Sequence, residues 1–153
     1  MGILIGGLLA GILDLTAACV MWGLRTGAPP RRVMQGIAAG LLGREAFDGG
    51  WSTALLGLGF HFLIAFTAAA AYHAVSRTFE WPNRHPIPAG LLWGFAVFLV
   101  MYFLVLPQTK VHPTYTITAL LPLAVIHMLF VGLPISLAAK RYAGGRRDPD
   151  PAV

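Results

Sequence analysis

Residues 52–75 read STALLGLGFHFLIAFTAAAAYHAV, without one Asp, Glu, Lys or Arg. A helix on a soluble surface shows a polar face; this one would be apolar all round, and at 24 residues it exceeds the roughly 20 needed to cross a bilayer core. Residues 3–24, 87–106 and 117–139 repeat the pattern. Apolar residues make up 57% of the chain and charged residues 11%, with a mean hydropathy of +0.71. These values lie outside the range of ordinary soluble domains. The expected fold class is therefore all-α: an integral membrane four-helix bundle forming one domain over residues 1–142. Residues 143–153 are expected to be a disordered tail of mixed basic and acidic charge.

The start MGILIGG lacks the basic n-region of a secretory signal, and the apolar run behind it is too long for a signal core, so it reads as a span. Leu15–Cys19 (LTAAC) only superficially resembles a lipoprotein cleavage box, since Thr16 stands where a large aliphatic belongs. A single cysteine, Cys19, rules out an internal disulfide. Trp22, Trp51, Tyr72, Tyr115 and Tyr142 fall near span ends, as amphipathic rings prefer.

Orientation is finely balanced. Arg25, Arg31, Arg32, Arg44 and Lys110 lie on one side; Arg77, Arg84, Lys140, Arg141, Arg146 and Arg147 lie on the other. The basic run flush against the last span places both termini in the cytoplasm by the positive-inside rule. The net charge of +5 reads as anchoring to anionic lipid, with Arg31, Arg32, Lys140 and Arg141 at the headgroups. No soluble basic surface exists to hold nucleic acid.

The first loop contains its own helix, expected over residues 30–43. Prolines open it, Val33, Ile37 and Leu41 share one face with Met34, Ala38 and Leu42 beside it, and DGG at Asp48–Gly50 breaks the pattern. An amphipathic helix lying in the interface is the expectation, with a re-entrant half-helix as the alternative.

An internal repeat is also suggested. Ala10-Gly11-Ile12-Leu13 matches Ala89-Gly90-Leu91-Leu92, and ALLGLGFH, ending at His61, matches ALLPLAVIH, ending at His127, with one insertion. Two repeated helical hairpins would be related by an axis along the membrane normal. The glycine pairs Gly2/Gly6, Gly7/Gly11, Gly36/Gly40 and Gly90/Gly94 have the small-xxx-small spacing of close helix packing.

Asp14, His61 and His127 occupy the twelfth, tenth and eleventh positions of their expected spans and so lie near one depth. Ionisable groups there are costly unless partnered. Small residues around Asp14 (Ala10, Gly11, Ala17, Ala18) and around His61 (Gly57, Ala65, Ala68) turn both toward protein. Pro122, one turn ahead of His127, predicts a bent fourth helix with room beside that ring.

Several chemistries suit the trio. Asp14 bonded to an imidazole would fix helix register within an accessory, scaffold or small-ligand-binding protein. A proton or ion conduit uses the same materials. Haem b held between His61 and His127, for electron transfer, is the main cofactor alternative to none. Asp14, His61 and His127 could also hold a single metal ion. There is no nucleophile elbow, zinc-protease helix motif or phosphate loop, and an enzyme is not expected. The expected partners are the lipid bilayer and either a larger membrane complex or further copies of the chain.

GLLGREAFDGGWSTALLGLGFHFLIAFTAAAAYH, then VMYFLVLP, then IHMLFVGLPISLAAKR together resemble a group of small four-span inner-membrane proteins widespread in bacteria. The marks are Asp14, Phe47-Asp48-Gly49-Gly50, His61, Pro107, and His127 with Gly132-Leu133-Pro134. That group carries no established activity, so the resemblance implies topology and a bacterial inner membrane.

Overall fold

The computed structural model describes residues 1–111 and 116–143. Residues 144–153, with Arg146 and Arg147, and residues 112–115, with His112, Pro113 and Tyr115, lie outside the described residues. Among those described, every regular element is helical: α1 (Gly2–Thr26), α2 (Pro30–Leu42), α3 (Gly50–Thr78), the short α4 (Trp81–Arg84), α5 (Pro86–Leu99), α6 (Ile117–Ile126) and α7 (Leu133–Ala143). Four stretches are long and apolar enough to cross a membrane: Gly2–Thr26, Gly50–Thr78, Pro86–Gln108 and Leu120–Tyr142. The chain is a small multi-pass membrane protein. Leu4, Leu55, Leu63, Leu92, Phe103 and Leu121, each about 60% exposed, form part of its lipid-facing surface.

The helices run past the ends of their apolar stretches, most clearly where α3 continues through Ser76, Arg77 and Thr78. Hydropathy stops at the edge of the hydrocarbon, whereas a helix can go on satisfying its own backbone in the headgroup layer. Gly27 ends α1 in the left-handed region (φ 69°), its N–H returning to the Gly23 carbonyl; Gly43 ends α2 at φ 74°. A side chain at either would be strained.

The third and fourth spans are not continuous α-helices. Val100–Val105 and His127–Gly132 form wide π turns, in which Leu106 N–H donates to the Met101 carbonyl and Leu133 N–H to that of Met128, five residues back. Each turn precedes a proline, Pro107 or Pro134. A proline ring crowds the carbonyl four residues before it, and widening the turn moves that carbonyl aside. Both spans spell this device as Met-x-Phe-x-x-Leu-Pro. The bend expected at Pro122 is thereby relocated: α6 runs through Pro122, and the irregularity begins at His127.

Glycines set the packing. α1 lies between α3 and α7, and α5 closes on α7 and on the π turn before it. A Cβ on Gly6 would sit 3.3 Å from Ile135 and Ala138, while one on Gly132 would fall on the Gly90 carbonyl and one on Gly94 on the backbone of His127 and Met128. Backbones meet here with nothing between them, as small residues permit in lipid. Around them gathers a core of Ala10, Ala69, Tyr72, Ala89, Val131, Ile135 and Ala139, with Trp93 packed edge-on to Tyr72 at 5.4 Å.

The two hairpins make corresponding contacts. Gly11 faces Phe62 and Gly7 faces Phe66; Gly94 faces Met128 and Gly90 faces Gly132. This register equates Gly11 with Gly94 and His61 with His127. It lies one helical turn from the Gly11–Gly90 match suggested by sequence.

α2 packs on α3 where Gly57 lies against Met34 and Ala38 of α2, about 10 Å from the start of α3. Its buried residues are Gln35, Ala38 and Ala39. The expected stripe of Val33, Ile37 and Leu41 is only partly covered, and Leu41 is 55% exposed. The seat is rotated because the glycine notch in α3 accepts the alanine face of α2. The Arg31 guanidinium stands 6.0 Å from the Trp51 ring centre and that of Arg32 4.7 Å from the centre of the Phe47 ring. Lys140 and Arg141 are exposed on the last turn of α7, at the opposite end of the bundle.

Gly132→Val should destabilise the folded protein by about 1–3 kcal/mol through overpacking. Gly59→Ala, on an exposed site with open space around it, should not. Thermal unfolding of the two variants in one detergent distinguishes them; equal melting temperatures would contradict the packing.

Candidate functional site

Between α1, α2, α3 and the third and fourth spans lies a cavity of about 1270 Å³. Its walls are mainly apolar, and Asp14, His61 and His127 all line it. Counting 1.5 Å per residue from the helix ends nearest α2, the three lie about 15–18 Å in, close to the middle of a 30 Å core. The sequence brought these residues to one depth; the structure brings them to one space.

Each imidazole is fixed by the backbone. His61 Nε2 lies 2.9 Å from the carbonyl oxygen of Gly11, an interhelical contact beside the place where a side chain on Gly11 would run into the Phe62 ring. Its ring meets Phe62 edge-on at 5.7 Å. His127 Nδ1 lies 2.8 Å from the Leu123 carbonyl one turn back on its own helix. Phe98 and Tyr102 flank that ring at 5.8 and 6.0 Å. A carbonyl only accepts, so the ring hydrogen sits on Nε2 in His61 and on Nδ1 in His127.

Asp14 stands one turn beyond Gly11 and is half-buried. The expected hydrogen bond from an imidazole to Asp14 does not form: the bonds of both imidazoles go to main-chain carbonyls. No three His, Cys, Asp or Glu side chains among the described residues come together closely enough to hold a metal ion. The trio shares a cavity without forming one compact centre.

α2 forms the outer wall with Val33, Gly36, Ile37 and Leu41, and Trp22 and Arg32 also line the space. Lys110 N–H donates to the Gly40 carbonyl at 2.9 Å, tying α2 to the connection after the third span. The residue that fastens α2 escaped sequence reasoning. Gln35, 1% exposed, donates through Nε2 to the Gly50 carbonyl at 2.9 Å and to Thr53 Oγ1 at 3.3 Å. Thr53 Oγ1 in turn donates to the Ala46 carbonyl at 2.6 Å. The available signal was an amide on a helix whose other uncharged side chains are apolar. Such a group commonly serves a neighbouring backbone.

Gln35→Ala should cost about 1–3 kcal/mol, the range for leaving buried partners unsatisfied. Hydrogen exchange should quicken first in α2 and residues 43–50, before the transmembrane helices; uniform change along the chain would contradict a local clasp.

No protein-family model matches this chain, and no curated protein and no solved structure is significantly similar to it.

Proposed function

We propose that this protein is a non-enzymatic accessory protein of the bacterial inner membrane that binds a small, largely apolar ligand inside the bundle. Asp14, His61 and His127 are its polar anchors. The observation carrying this reading is the cavity itself: a concave, mostly apolar space with a few convergent polar groups is the ordinary form of a small-molecule site. Its position opens it to molecules dissolved in the bilayer.

Magnitudes favour binding over packing alone. An aspartate at a helix centre costs about 2.5–3.5 kcal/mol on insertion scales. An interhelical polar bond returns about 0.6 kcal/mol on average and about 1.7 at most. The His61–Gly11 bond does not involve Asp14, and no hydrogen bond or ion pair among the described residues reaches that carboxyl, so a ligand partner meets a group that packing leaves unmet. The conduit reading is less favoured because the imidazole bonds run to backbone carbonyls and do not link the trio into a chain. The haem reading is less favoured because the rings commit opposite nitrogens, Nε2 and Nδ1, to the backbone. The bacterial location rests on the family resemblance, and the cytoplasmic placement of both termini on the basic run after the last span.

Gly36 lines the cavity and has open space where a side chain would go. Gly36→Phe should occupy that space without unfolding the protein. An amphiphile should co-purify with the unaltered protein near one per chain, by mass spectrometry of extracts, and be depleted at least fivefold in Gly36→Phe. Equal recovery from both, or none from either, would count against the proposal. For orientation, a C-terminal green fluorescent protein fusion should fluoresce and a C-terminal alkaline phosphatase fusion should be inactive; the reverse would place the termini outside.

A further inference from the structure

The pinned rings specify the chemistry of the occupant. We infer that the molecule held in this cavity donates hydrogen bonds: its buried polar group is a hydroxyl carried on an apolar body. The inference rests on the ligand-binding reading above.

A neutral imidazole has one N–H and one lone-pair nitrogen. His61 gives its N–H to the Gly11 carbonyl, so Nδ1 is its acceptor; His127 gives its N–H to the Leu123 carbonyl, so Nε2 is its acceptor. The nitrogens are opposite because one bond crosses between helices and the other runs back along its own helix, yet each ring in its neutral form is left able only to accept. The Asp14 carboxyl lines the same cavity and presents an acceptor oxygen in either protonation state. Of the donors on the wall, Thr26 is spent on the Trp22 carbonyl, Thr109 on those of Leu106 and Val111 and Gln108 on that of Leu104. The Trp22 indole stands about 12 Å along α1 from Asp14 and Arg32 lies in the first turn of α2, so both sit toward the α2 end of the cavity, away from the level of the imidazoles. A ligand carbonyl or ether would leave the three acceptors unmet at a depth where unmet polar groups are costly. A hydroxyl meets one directly. Discrimination by hydrogen bonding to a hydroxyl is sharp for the same reason: the analogue lacking it strands a buried partner.

Long-chain alcohols and the reduced rings of quinols share this chemistry, and paired probes separate them. The full chain in phosphatidylcholine nanodiscs, whose lipid has no hydroxyl, would be titrated with dodecanol and dodecyl methyl ether, and with decylubiquinol and decylubiquinone. At least one hydroxyl member should bind tenfold or more tighter than its partner. Preference in the alcohol pair alone marks a chain alcohol, and preference in the quinol pair alone a reduced ring. His61→Phe and His127→Phe should each pull the ratio toward one while binding persists, which a merely structural role would not do. Binding without preference in either pair would overturn this inference and leave the cavity reading standing. Absence of binding by all four would overturn both.

Discussion

Main-chain contact between Gly90, Gly94 and the stretch His127–Gly132 is the constraint on which the rest of the bundle depends. In lipid, helices gain nothing by hiding apolar side chains from one another, so association rests on close packing and a few polar bonds. Glycine allows that packing, and Gly2 and Gly6 extend it to α1 and α7. Small and well-packed residues draw together the end of the bundle near the termini. The opposite half opens into the cavity, with α2 as part of its wall.

Prolines adjust what glycines fix. A helix seated at Gly132 cannot swing freely to relieve the crowding from Pro134, so the ladder widens locally and the relief is taken up within His127–Gly132. The first residue of that turn is His127, whose ring is set between Phe98 and Tyr102. The same device at Val100–Val105 places Tyr102 opposite it. Backbone irregularity is tolerated at membrane depth where protein or a cavity covers it. Here it shapes one wall of the cavity.

Legibility in the sequence followed the range of the physics involved. Bilayer thickness acts on runs of twenty residues, so four spans were readable from hydropathy, and depth along a helix is a matter of counting, so Asp14, His61 and His127 could be placed at one level. The rotation of α2 onto Ala38 and Ala39 was not readable, because it depends on a notch at Gly57 in another helix. The bond partners of the histidines were not readable either. Charge complementarity suggested Asp14, but the backbone carbonyls of Gly11 and Leu123 were nearer. Backbone groups occur at every position and leave no mark in composition. The π turns did leave one, in the shared Met-x-Phe-x-x-Leu-Pro, visible once both prolines are compared.

The proposed site turns on two imidazoles held by the main chain so that each offers a lone pair to a common cavity. Nitrogen-15 NMR of the histidine-labelled protein in bilayers, assigned with His61→Phe and His127→Phe, tests this most directly. Hydrogen on Nε2 of His61 and on Nδ1 of His127, with the bare nitrogen of each ring shifting when dodecanol is added, is the predicted result. The same tautomer in both rings, or spectra indifferent to the alcohol, would contradict it.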